Sequence, residues 1–311
     1  MASSTMLQLI TQVTRELGLS VPSTVAANTN TEVMQLLALM NAVGYELANE
    51  TQWQKMTKEY RFTTVYYQYT ANTTNASTTI DTLSSTTGLT TTPTYFMVTG
   101  TGIPQDTYLS SVDSGASTAV LTRAAEATGS TVTLTFSQTK YAMPSDFAGM
   151  IDNTEWNKSR HWEMMGPETA QQWQWLKSGY ISSGPRVRFR QLGTLFQIWP
   201  TFSTNDYLGF EYLSDQWVLS AAAQTGVVPD KSSFTVDTDK CVHGDRLMVL
   251  GTKLKFMEIK GFDTTAVYRD YTRELDLAKS YDAGSAKLSM APKLSNVLIG
   301  FNNIPDSGYG S

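Results

Sequence analysis

Apolar residues recur along the N-terminal fifty residues at helical spacing. Met6, Leu9, Ile10, Val13 and Leu17 share one face, Ser3, Ser4 or Thr5 is placed to cap the start, and Gly18 is placed to stop the helix. Thr29 and Glu32 have capping-box spacing, and Val33, Leu36, Leu37, Met40, Val43 and Leu47 continue a second apolar face to about Trp53. Near the other end, Leu247, Leu250, Leu254 and Met257 predict a helix from Asp245 to about Lys260. After Gly261-Phe262-Asp263, Thr264 or Thr265 opens another, with Val267, Tyr271, Leu275 and Ala278 on one face and Asp282-Ala283-Gly284 at its end. So short a connection implies an antiparallel helical hairpin.

Between these helices the period changes from helical to alternating. Thr131-Val132-Thr133-Leu134-Thr135-Phe136 puts three apolar residues on one face and threonines on the other, the pattern of a half-buried strand. Gly88, Gly100, Gly102-Ile103-Pro104, Asp113-Ser114-Gly115 and Gly129 mark turns around it. Residues 71–139 thus predict an all-β module of about five to seven strands. Further on, Gly166-Pro167-Glu168 predicts a short helix over Thr169 to Leu176 with proline in its first turn. Residues 186–191 and 195–200 form a hairpin about Leu192-Gly193, and Tyr207 to Leu213 is a further strand.

Composition sharpens the division. Charged residues make up 16% of the 311-residue chain, below the ~25% usual for soluble domains. Only five of them fall in 71–139, where roughly two residues in five are Ser or Thr. That segment lies within otherwise different sequence, so it reads as an insertion. The net charge of −5 argues against a protein that coats nucleic acid through bulk charge. The start, MASSTMLQLITQ, has neither the basic nor the apolar region of a signal peptide, and no apolar run is long enough for a membrane span. One cysteine excludes an intramolecular disulfide, and with two histidines leaves no zinc cage of the usual kind.

Candidate chemistry is sparse. Asp237 and Asp239 would hold a divalent cation if both point one way from an extended segment. The stronger reading is a turn whose acids cap backbone amides, because no third ligand cluster accompanies them. His161 and His243 have no nucleophile-elbow partner, and Cys241 reads as a small buried apolar residue. No P-loop, dinucleotide fingerprint or HExxH occurs, and Gly100-Thr101-Gly102 is a turn. A glycan hydrolase needs two placed carboxylates, and Asp237/Asp239 or Glu155/Glu163 have no distinguishing context. Arg186, Arg188 and Arg190 share a strand face, either a basic stripe for DNA phosphates or a solvated face matched by acids such as Glu211 or Asp215. Trp156, Trp162, Trp173 and Trp175 fit a core or subunit interface better than a sugar platform. No catalytic residue, metal or cofactor is expected.

The order of segments carries a resemblance. Two amphipathic helices, YAMPSDF (141–147), GPETAQQWQWL (166–176), FQIWP (196–200), LGFEYLSDQW (208–217), the VDTDKC turn and a terminal helix pair resemble head-to-tail adaptor proteins of short-tailed bacteriophages. Residues 96–136 resemble a small β-module of phage virion proteins. The resemblance implies a helical bundle within a dodecameric ring. That ring joins the portal to a tail nozzle or tube, around a channel through which genomic DNA passes without sequence-specific binding. It also implies a C-terminal arm reaching the portal, which residues 285–311 match in position, with Leu298, Ile299, Phe301 and Ile304 as its apolar anchors.

Pattern and resemblance together give an α+β fold with a helical-bundle core and β-hairpins over 1–70 and 140–284. An all-β domain of sandwich or barrel kind is inserted at 71–139, and an extended arm covers 285–311. The expected role is structural and non-enzymatic, at the head–tail junction of a virion assembled from protein made in the host cytoplasm. Residues 71–139 would decorate it or meet capsid or tail fibre, and no membrane is involved. The competing reading is a tail-associated module that binds host glycans.

Overall fold

The computed structural model describes residues 4–180, 187–202, 204–225 and 228–282. Among them are five α-helices: α1 (Met6–Leu17), α2 (Thr31–Glu50), α3 (Ala170–Trp175), α4 (Asp245–Lys260) and α5 (Thr265–Asp282). With several antiparallel sheets, they make the fold α+β. The chain divides into two compact units. One comprises Met1–Lys58, Asp146–Met150 and Tyr212–Ser311, and the other Glu59–Ser145 and Ile151–Glu211.

The first unit contains α1, α2, α4 and α5. Met6, Leu9, Ile10 and Val13 of α1 are fully buried, as their spacing predicts. Thr5 and Gln8 form a reciprocal capping box, and Gly18 takes a left-handed conformation (φ 71°) that ends the helix. Asn30 rather than Thr29 caps α2: its side chain accepts from Glu32 N at 2.9 Å, while Asn28 Oδ1 holds the Asn30 amide at 2.8 Å. The helix stops at Glu50, short of Trp53, whose indole Nε1 instead donates to Leu47 O at 2.6 Å and satisfies a terminal carbonyl. Gly261 (φ 73°) separates α4 from α5, and Asp263 Oδ1 accepts from Thr265 N at 3.0 Å to open α5. Trp217, Phe234, Leu247, Met248 and Phe256 join the faces of α1 and α2 in one core, against which Tyr271, Leu275 and Ala278 of α5 are half-buried.

In the second unit, Tyr66–Thr73, Gly129–Gln138 and Phe96–Gly100 form one antiparallel sheet, with Gly129–Gln138 central. Leu134 and Phe136 are buried and Thr133 is exposed, as the alternation predicts. A second sheet, Thr79–Ile80, Thr118–Leu121 and Leu109–Asp113, contributes Ile80, Leu121 and Leu109 to the same apolar cluster. The composition break at Ala71 falls inside the strand Tyr66–Thr73, where Tyr67 pairs with Phe136. Barrel closure is not found among the described residues of this module, because its two sheets are separate open ribbons of three strands each, too few to close.

The hairpin forms as expected, with Arg188–Leu192 against Leu195–Trp199 and Gly193 at φ 59° in the turn; Lys140–Ala142 adds a third strand. Proline does not occupy the first turn of α3. Thr169 caps that helix in a second capping box with Gln172, leaving Pro167 two residues outside. The strand Tyr207–Ser214 carries the chain from the second unit into the first.

Candidate functional site

Two of the segments that carry the resemblance, 141–147 and 208–217, meet at their C-terminal ends, which lie in the first unit. Strand Phe147–Met150 pairs with the end of Tyr207–Ser214, Tyr212 opposite Met150 and Ser214 opposite Phe147. That register brings Asp146 to Tyr212 and Ser214, which alternate along the strand and so share a face. The Tyr212 hydroxyl donates to Asp146 Oδ1 at 2.9 Å, and Ser214 Oγ donates to Oδ2 at 2.7 Å. Lys58 Nζ donates to the same Oδ2 at 2.6 Å and to Gln216 Oε1 at 2.7 Å. Burial pushes the Asp146 carboxyl up, but hydrogen bonds from Lys58, Ser214 and Tyr212 outweigh it and hold it below the usual carboxylate range. Nearby Asp215 is pushed up by burial and by the charge of Asp146. With both its oxygens occupied, Asp146 is a structural hub. Tyr212-x-Ser214, polar groups two apart within an apolar strand, marks the donor side of this hub in the sequence but not Asp146 itself.

Asp237 and Asp239 cap amides. Asp237 Oδ1 accepts from Val25 N at 3.0 Å and Ala26 N at 2.8 Å, tying the loop before α2 to this turn. Asp239 Oδ2 accepts from Thr235 N at 3.0 Å and Val236 N at 2.9 Å, and Lys231 Nζ pairs with Oδ1 at 2.9 Å. No group of three or more His, Cys, Asp or Glu able to hold a metal occurs among the described residues.

His243 is buried between Trp53 and Trp217, ring centres 5.3 and 6.0 Å away, and burial with the charge of Lys55 lowers its pKa to about 4. Its Nε2 has no hydrogen-bond partner within the described chain, nor does Trp217 Nε1 in the same core. Cys241 is buried, as expected; its thiol donates to His243 O at 3.3 Å and burial pushes its pKa up to about 12, far from a nucleophile's. His161 is exposed in a left-handed turn (φ 57°).

Within the second unit, Arg188 pairs with the buried carboxylate of Glu168 at 2.7 Å, not with Glu211 or Asp215. The backbone sets that choice, since Glu168 N donates to Phe189 O at 3.0 Å and lays the segment before α3 beside the strand. Arg190 is half-buried two residues further on. Arg186 lies outside the described residues, as does the 285–311 arm with Leu298, Ile299, Phe301 and Ile304. Glu155 is buried with one carboxylate oxygen unpartnered, whereas Glu163 is half-buried on the strand paired to Trp156. Trp173 is buried in a cluster with Met97, Leu176 and Trp199; Trp162 and Trp175 are exposed.

Asp146, Asp237, Asp239 and Glu168 thus each fix a loop or a strand through their carboxylates. Residues 103–237 match the family model of the SU10 adaptor protein. The match supports a structural role of the phage-adaptor kind, as part of a virion. No curated protein matches the chain. Among the described residues no helix is long and apolar enough to cross a membrane.

Proposed function

We propose that this chain is a head-to-tail adaptor of the short-tailed phage type, a structural virion protein. It forms a ring, dodecameric by the resemblance, that joins the portal to the tail nozzle around the DNA channel. The observation that carries this reading is the match of residues 103–237 to an adaptor family. That stretch contains 141–147, 166–176, 196–200 and 208–217, four of the segments that carry the resemblance; the N-terminal helices and the terminal helix pair lie outside it.

In this reading the helices of 1–70 and 140–284 form the bundle of the ring. Residues 71–139 are an inserted β-sandwich that faces outward, toward tail fibre or capsid. The 285–311 arm docks on the portal through Leu298, Ile299, Phe301 and Ile304, because apolar side chains seated in a partner's groove supply most of a docking segment's energy. Arg188 is already matched to Glu168, so phosphate contact from that stripe falls to its neighbours Arg186 and Arg190. A ring closes through heterologous contacts between identical subunits and needs no catalytic step.

The test is electron microscopy of the protein alone and mixed with its portal. The expected result is a ring that stacks on the portal and is released from it, still folded, when 285–311 is deleted. A strict monomer that ignores the portal overturns the adaptor reading. Attachment that survives the deletion overturns the arm assignment alone.

A further inference from the structure

The turn around Gly100-Thr101-Gly102 builds one wall of a cavity within the second unit. The cavity has a volume of about 250 Å³, close to the lower end of the range for small-ligand sites. Met97, Ile103 and Trp199 supply apolar surface, and Thr99, Gln105 and Thr201 bring two hydroxyls and an amide. No lining residue is charged. Asp106, next to Gln105 in the sequence, pairs with Lys177 at 3.2 Å.

The wall is braced through its backbone. Ile103 N donates to Gly100 O at 3.1 Å, Glu126 N to Gly102 O at 2.8 Å, and Val98 N to Thr107 O at 2.8 Å. Thr107 Oγ1 donates to Pro104 O at 2.6 Å, and the Arg123 guanidinium donates to Gln105 O. Gly102 (φ 76°) and Asp106 (φ 54°) both take left-handed conformations to make the loop. A Cβ at Gly102 would meet Ala127 Cβ at 2.9 Å, so both the conformation and the close approach require glycine there. Gln105 contributes its carbonyl to this bracing while its side chain remains exposed at the cavity.

A rigid cavity with an apolar floor, uncharged hydroxyl and amide groups and room for a single ring suits a neutral sugar. A sugar ring offers one apolar face and hydroxyls that both donate and accept, which the threonine hydroxyls and the glutamine amide match in kind. We propose that this cavity is a binding site for one neutral hexose unit of a glycan, held by Gln105, Thr201 and Thr99 over Met97 and Trp199. The site does not depend on the adaptor role: a ring-forming protein with or without it would still bind a portal.

Ligand-observed saturation-transfer NMR on the full chain tests it, with glucose, galactose, mannose and N-acetylglucosamine as probes. At least one sugar is expected to bind, weakly as single rings do. Gln105→Ala and Thr201→Val are each expected to reduce that affinity by about fivefold, the loss of one neutral hydrogen bond. Both variants are mild, one at an exposed side chain and one isosteric, and unchanged thermal unfolding verifies that they fold. Absence of transfer from all four sugars overturns the proposal. So does binding that neither substitution weakens, or binding confined to an acidic sugar such as glucuronate included as a control.

Discussion

The indole of Trp217 occupies the space that Gly44 leaves by having no side chain: a Cβ on Gly44 would lie 2.1 Å from Cη2 and 2.2 Å from Cζ2 of that ring. Trp217 is fully buried and also packs edge-on against Phe234, ring centres 5.1 Å apart, so the ring has nowhere to retreat. In an open helix interior, Gly→Ala stabilises by about 1 kcal/mol. Here the overlap reverses the sign, and Gly44→Ala is expected to destabilise by about 1–3 kcal/mol, the usual range for overpacking. Chemical denaturation measures it; a stabilised variant would show that Trp217 moves freely.

Asp146 makes a second prediction, because its side-chain donors come from two distant parts of the sequence, Lys58 on one side and Tyr212 with Ser214 on the other. Asp146→Asn leaves the Lys58 ammonium without its counter-charge in a largely buried place, at a cost of about 2–4 kcal/mol. The double variant Lys58→Met/Asp146→Asn should lose less than the sum of the single variants, since one orphaned charge is removed with the other. The folded carboxyl titrates below its unfolded range. Its contribution is therefore complete above about pH 4 and is lost as pH falls through the folded value. Equal acid sensitivity of wild type and Asp146→Asn in that range would count against the hub.

These two relationships differ in how far the sequence reveals them. The faces of α1, α2 and α4 are legible because one period decides which side chains are buried, and a helix carries that period within a few turns. Thr131 to Phe136 is legible for the same reason at period two. Which residue caps α2 is not, since Thr29 has suitable spacing but Asn28 positions Asn30 instead. The Asp146 hub depends on strand pairing between residues more than sixty positions apart, and no local pattern marks Asp146. Arg188 meets Glu168 rather than an acid across the sheet because backbone bonding lays a loop alongside the strand. The cavity is hidden for a further reason: Asp106 adopts a left-handed conformation that its residue type permits but does not require.

Asp239 provides a test of the amide-capping turn against a cation site. Its carboxylate accepts from two backbone amides and pairs with Lys231, and its side chain is only 1% exposed. Asp239→Ala orphans those donors together and is expected to destabilise by about 3 kcal/mol. Chelator, calcium or magnesium added to the wild type is expected to leave the melting temperature unchanged. A metal-dependent rise in melting temperature that Asp239→Ala abolishes would establish the cation site instead.

The last prediction concerns His243 and runs in a higher pH window. The imidazole is buried between two tryptophans, with Nε2 unpartnered, so folding favours its neutral form and its pKa falls to about 4. In the unfolded chain it titrates near 6.5, so below that pH the unfolded state binds a proton that the folded state refuses. Stability attributable to His243 is therefore full above about pH 6.5 and declines until the folded value is reached. Between about pH 7 and pH 4.5 the wild type is expected to lose about 2 kcal/mol by this route. His243→Gln removes the titrating group while keeping a polar side chain, so its unfolding free energy should change by about that much less over the same interval. Denaturant titrations at a series of pH values read the difference. Parallel pH profiles for the two proteins would mean that His243 is protonated as readily in the folded core as in the open chain.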